Sequence, residues 1–246
     1  MKKSIFLLIL LILFTSCSKN KEAKVSQVYI ASTSWTAAFA DLAGLDNVSA
    51  IAPASLRHPP EYEVTLSDIE KIKNSKVFIF AGFERMMQTL GTAIEGVNMV
   101  KISCDNSIET VKKSAYQIAK VTGTEKECSK RVEDYISTVL EGKNKLEEMG
   151  LSGAKVYCNK NQIYLAKDLG LDVVEIFGPG PVTSQQILTA KEGDFAFIID
   201  NVHNPVAGPL TEVSGAKYII WRNFPEVVER NALKNVVAQN IAKITE

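Results

Sequence analysis

TEKECSKRVEDYISTVLEGKNKLEEMG, residues 124–150, is the stretch on which the fold turns. Thr124 with Glu127 three residues later has the pattern of a capping box, and the next helix stop is Gly150. Between them Cys128, Val132, Tyr135, Ile136, Val139, Leu146 and Met149 recur at helical spacing. A helix of about 25 residues is roughly 37 Å long, the width of a small domain. Its Lys and Arg residues are interleaved with Glu and Asp, as on a solvated face, while Cys128 lies on the apolar stripe and belongs to the core. Gly142 weakens the helix by ~1 kcal/mol relative to alanine, which predicts a bend.

On both sides of this segment short apolar runs alternate with amphipathic ones. Before it, Val25 to Ala31, Val48 to Ala52, Val77 to Ala81 and Val97 to Ile102 read as strands. Ala37 to Ala43 reads as a helix stopped by Gly44, and Ser67 with Glu70 as the capping box of a second. Ser107 caps a third helix, which Gly123 stops. After it, Ala154 to Cys158, Val173 to Phe177, Phe195 to Asp200 and Tyr218 to Trp221 are strands, and a last helix starts at Pro225. The expected architecture is α/β: two doubly wound α/β lobes joined by one long α-helix, with the ligand cleft between the lobes. Its boundaries are 27–123, 124–150 and 151–246.

The chain has 246 residues, 46% of them hydrophobic, with 28 basic and 28 acidic side chains. That composition excludes a disordered or collagen-like chain, and the balanced charge gives no nucleic-acid surface. Lys2 and Lys3 precede ten apolar residues, Ile5 to Phe14, then Thr15-Ser16-Cys17. A spanning helix needs roughly 20 apolar residues, so this is a secretory leader. Leu13 to Cys17 resembles a bacterial lipobox, which makes 1–16 the signal peptide, Cys17 the lipidated residue and 17–26 a polar tether. The alternative is a plain signal peptide that contains a cysteine. Cleavage removes Lys2 and Lys3, so the 28 basic side chains become 26 against 28 acidic. Cys104, Cys128 and Cys158 remain, an odd number that makes no disulfide framework.

No Gly-x-Ser-x-Gly elbow occurs, and Phe177-Gly-Pro-Gly-Pro181 lacks the third glycine and two backbone donors of a phosphate loop. Asp68 with Asp46, or Glu61 with Glu63, could pair as catalytic carboxylates, but no nucleophile or base accompanies them. The chain is not expected to be an enzyme.

Residues 28–84 carry a resemblance. Val28-Tyr-Ile-Ala-Ser-Thr-Ser-Trp35 is followed by Arg57-His-Pro-Pro-Glu-Tyr-Glu63, Thr65-Leu-Ser-Asp-Ile69 and Val77-Phe-Ile-Phe-Ala-Gly-Phe-Glu84. This resembles the zinc- and manganese-binding solute-binding proteins of metal ABC importers (cluster A-I). The likeness is strong over 57–84 and loose after 105. It implies a divalent metal cargo, an ABC permease with its ATPase as partners, a monomer, and an extracytoplasmic location at the periplasm or cell surface.

The family's ligand set is degenerate here. Its first His falls on Pro60, with His58 two residues upstream. The second belongs to a region that reads Ser103-Cys-Asp-Asn-Ser-Ile108. The third falls on Asn159, with the expected Tyr164 present, and the acidic fourth on Asp200. The chain has two histidines, His58 and His203, one per lobe. With Asp200 they are the candidate metal ligands, an N/O set suited to zinc or manganese. Glu61, Glu63, Tyr62, Trp35, Cys104, Cys158, Asn159, Tyr164 and Arg222 are candidate cleft residues. Two alternatives stay open: the same fold taking an organic or chelated-metal solute, or a surface lipoprotein for adhesion or assembly.

Overall fold

The computed structural model describes residues 28–246, so the leader, Cys17 and the tether lie outside the described residues. The first lobe runs β1 (Tyr29–Ala31), α1 (Ser34–Leu42), β2 (Val48–Ala50), α2 (Leu66–Lys73), β3 (Val77–Phe80), α3 (Met86–Leu90) and β4 (Met99–Lys101). Helices α4 (Ile108–Thr122) and α5 (Glu125–Glu148) follow. The second lobe runs β5 (Lys155–Asn159), α6 (Ile163–Asp168), β6 (Asp172–Phe177), α7 (Ser184–Glu192), β7 (Phe197–Asn201), α8 (Gly208–Thr211) and β8 (Lys217–Trp221), and the chain closes with α9 (Ala232–Thr245). Each lobe is built on a four-stranded parallel sheet, ordered β2-β1-β3-β4 and β6-β5-β7-β8.

The period-two alternation of the strands sorts the core into layers. Tyr29, Val77 and Ile79 in the first sheet and Val156, Cys158, Phe197, Ile199, Ile219 and Trp221 in the second face one continuous core. That core also takes Tyr135, Val139 and Leu146 from α5 and Leu233, Val237 and Ile244 from α9. The opposite faces have separate cores: Ile30 and Phe78 pack with Ile72 of α2 and Met86 of α3, and Tyr157 and Ile198 pack with Ala190 of α7 and Leu210 of α8. The two lobes therefore share their inner layer and are independent only on their outer faces.

Four local expectations change. The capping box of α2 is Thr65 with Asp68, not Ser67 with Glu70. The Asp68 carboxylate accepts from Thr65 N, Thr65 Oγ1, Tyr62 Oη and Lys71 Nζ, and no such set gathers around Glu70. Thr124 makes no side-chain cap on α5; its hydroxyl donates to Ala43 O at 2.6 Å and ties α5 to the end of α1. Gly142 lies within the unbroken α5 at the crossing with α9, where a Cβ would stand 2.6 Å from Ile241 Cδ1. Close approach of two helices explains this glycine.

Pro225 does not open the last helix, which starts at Ala232 behind a left-handed Asn231. Residues 225–231 instead cross to the first lobe. Ser34 Oγ donates to Pro225 O at 2.6 Å, and Asn231 N donates to Asp41 Oδ2 at 2.8 Å. Beside them the buried Arg131 guanidinium donates to Asp41 Oδ1 (2.9 Å), Asp46 Oδ1 (2.9 Å) and Glu127 Oε1 (3.1 Å). A buried charge persists only with partners of this kind.

Candidate functional site

In each sheet the strand order reverses beside the first strand, between β1 and β3 and between β5 and β7. Loops leave such a point in opposite directions and open a crevice at the carboxyl ends of the strands. The crevices of the two lobes form one cleft of about 450 Å³. Trp35 follows β1, His58 and Pro60 follow β2, Phe83 follows β3, and Cys104 and Asp105 follow β4. From the second lobe come Lys160, Asn161 and Tyr164 after β5, Pro179 after β6, Asn201, His203 and Asn204 at β7, and Asn223 and Phe224 after β8.

Aromatic rings run from one lobe to the other. Phe83 and Trp35 have centroids 6.4 Å apart, Trp35 and Phe224 5.8 Å, and the His203 imidazole stacks on Phe224 at 3.7 Å and 7°. Burial, reinforced by the Arg222 charge, pushes the His203 pKa down to about 4, so its imidazole is neutral at neutral pH. Among the described residues neither His203 Nε2 nor Trp35 Nε1 has a hydrogen-bond partner, and both atoms are buried. Arg57 Nε donates to His203 O at 3.1 Å, a bond from the first lobe to the second.

Glu84 fixes the first-lobe loops. It is fully buried and accepts from Ser32 Oγ (2.5 Å), Ala81 N (2.8 Å) and Gly82 N (2.6 Å), joining the ends of β1 and β3. Burial, with the Glu84 and Asp105 charges, pushes the Cys104 thiol far up, so it stays protonated.

Trp35, His58, Cys104, Tyr164 and His203 line the cleft. Other candidates do not. Asp200 is wholly buried, and its Oδ1 accepts from Asn159 Nδ2 (3.0 Å) and Asn201 N (2.7 Å). Its Oδ2 accepts from Val206 N (2.8 Å), Ala207 N (2.8 Å) and Tyr218 Oη (3.1 Å). Five donors commit this carboxylate to holding the loop after β7, and Asn159 is committed to it. Cys158 is buried in the shared core. Tyr62 donates to Asp68 on α2, Glu63 pairs with Arg85 on the surface, and Glu61 is exposed outside the cleft lining. Arg222 pairs with Glu226 at 2.6 Å. Pro60 lines the cleft with a ring that offers no lone pair. Among the described residues no group of three or more His, Cys, Asp or Glu side chains is placed to hold a metal ion.

Sequence reasoning missed Phe83, Asp105, Lys160, Asn201, Asn223 and Phe224. The signal was available: each sits at or just beyond a strand end, as Trp35 and His203 do.

No family model and no curated protein matches the chain. Solved structures do. FpvC from Pseudomonas aeruginosa in complex with Mn2+ has a TM-score of 0.69 at 16% identity, covering 89% of this chain and 97% of that one. The same protein with a Ni2+ ion gives 0.66 at 17%, covering 89% and 94%. An Mn-bound S38A mutant of a periplasmic metal binding protein from Candidatus Liberibacter asiaticus gives 0.63 at 16%, covering 89% and 98%. The fold is that of periplasmic metal-binding proteins. It agrees with the fold that the resemblance over residues 28–84 implies. No helix of the described residues is long and apolar enough to cross a membrane.

Proposed function

We propose that this chain is an exported solute-binding lipoprotein, anchored through Cys17, that captures a divalent transition metal between its lobes and hands it to an ABC permease. Zinc and manganese are the expected metals. The observation that carries the proposal is the convergence of the chain's two histidines, His58 and His203, from opposite lobes on one cleft. Imidazole is a common ligand for such ions, and a cleft at the strand ends of an α/β fold is where a solute binds. The neighbours' bound Mn2+ and Ni2+ support the same cargo class. Metal analysis of natively purified protein is expected to find about one equivalent of a divalent ion, absent from the His58→Ala/His203→Ala double variant. Protein with no metal, and no thermal shift with any divalent ion, overturns the proposal.

A second reading, an organic or chelated-metal solute, is favoured by a specific observation. Asp200 and Asn159 are engaged with each other and with the backbone, which leaves the two histidines short of a full ligand set.

A further inference from the structure

The form in which the metal arrives can be read from a mismatch in the cleft; this inference rests on the metal-capture proposal and deepens it. Even an open zinc site uses three protein ligands. Here the acidic group nearest the expected position already accepts five hydrogen bonds, and among the described residues no three His, Cys, Asp or Glu side chains are placed to hold an ion together. The Asp105 carboxylate also lines the cleft, but it accepts from Ser107 N, Ser107 Oγ and Thr110 Oγ1, and the imidazoles of His58 and His203 are the nitrogen ligands the cleft offers. For a bare ion the cleft is under-supplied with ligands.

It is over-supplied with surface that a bare ion does not need. Its volume of about 450 Å³ falls in the range of sites that bury small organic molecules. The rings of Phe83, Trp35, Phe224 and His203 follow one another across both lobes. The Phe83 ring is half exposed, an apolar face without cover.

We propose that the cargo is a metal complex: a divalent transition metal held by a small organic chelator with a flat, unsaturated face. The flat face lies on the ring wall, and His203 and His58 take coordination positions that the chelator leaves open. The chelator supplies the donors that Pro60, Asn159 and Asp200 do not.

The test compares three probes on the purified mature chain: zinc alone, 8-hydroxyquinoline alone, and the two at 1:1. Binding is read by thermal shift and by the fluorescence of the zinc complex. The complex is expected to bind at least tenfold tighter than either component. Two variants separate the wall from the fold. Phe83→Ala removes a half-exposed ring, and Trp35→Phe keeps a ring between Phe83 and Phe224 while narrowing the wall. Both are expected to weaken the complex about tenfold. Native mass spectrometry of protein from its own cells is expected to show metal and an organic mass together. Zinc alone binding as tightly as the complex, with no effect of Phe83→Ala, overturns the inference and leaves metal capture standing. 8-Hydroxyquinoline alone binding as tightly as the complex, or an organic mass without metal, overturns both. No binding of any probe, with no organic mass in native protein, also overturns the inference.

Discussion

Asp200 occupies the position where the resemblance implies a metal ligand, yet the structure uses it as a clamp; Asp200→Asn separates the two roles. An amide can accept on one side only. The best orientation keeps Val206 N, Ala207 N and Tyr218 Oη on its oxygen and turns its NH2 toward Asn159 Nδ2 and Asn201 N. Two buried donors then face a donor. Each such loss costs about 1–3 kcal/mol, so roughly 4 kcal/mol in all. For a chain of this size that corresponds to a fall of about 8–16 °C in Tm. The assay is urea and thermal unfolding of metal-free protein, where ligation contributes nothing. A variant as stable as wild type without metal, but unable to bind it, refutes the reasoning and restores Asp200 as a ligand.

The remaining predictions concern the frame around the cleft. Gly142→Ala gains ~1 kcal/mol of helix propensity but drives a methyl into Ile241, an overpacking of about 1–3 kcal/mol. A net loss near 1 kcal/mol is expected by urea unfolding, and it should vanish in an Ile241→Ala background; an equal effect in both backgrounds counts against helix contact as the reason for the glycine. Arg131→Met leaves Asp41 with Asn231 N and the more distant Arg230 guanidinium (3.6 Å) as partners and should cost about 3 kcal/mol by the same assay, the low end for a broken buried pair. Burial opposes ionisation of Asp68, but hydrogen bonds from Lys71, Thr65 and Tyr62 outweigh it and bring its pKa to about 2. Because the folded pKa lies below the unfolded value of 3.8, the stabilisation is full above pH 4 and is lost as pH falls toward 2. It amounts to about 2 kcal/mol, and Asp68→Asn should remove that part of the acid-unfolding curve.

Much of the fold was legible because apolar runs and glycine stops report burial and chain reversal directly. Gly123 and Gly150 bracket a helix whose ends fall within two residues of the expected ones. Where two local patterns competed, sequence could not choose. Thr65-x-x-Asp68 and Ser67-x-x-Glu70 are equally good capping boxes, and Tyr62 and Lys71 decide between them through contacts the pattern does not contain. Pro225 is a sound first-turn residue, but its carbonyl is held by Ser34, 191 positions away in sequence. Long-range bonds of this kind leave no local trace. The site divides in the same way. Residues just past a strand end, such as Trp35 and His203, face the cleft because of topology alone. Asp200 and Asn159, at the strand ends themselves, turn toward each other and the backbone. Their hydrogen bonding, not their position, decides whether they are free for a ligand.

The inner layer shared by the two lobes also orders the events of folding. The apolar faces of α1 and α5 are covered in part by α9, the last helix of the described residues. That helix follows every other element of the described residues in synthesis. The first lobe can form its sheet early, but its inner face stays open until residues 232–245 emerge, so neither lobe is finished before the other.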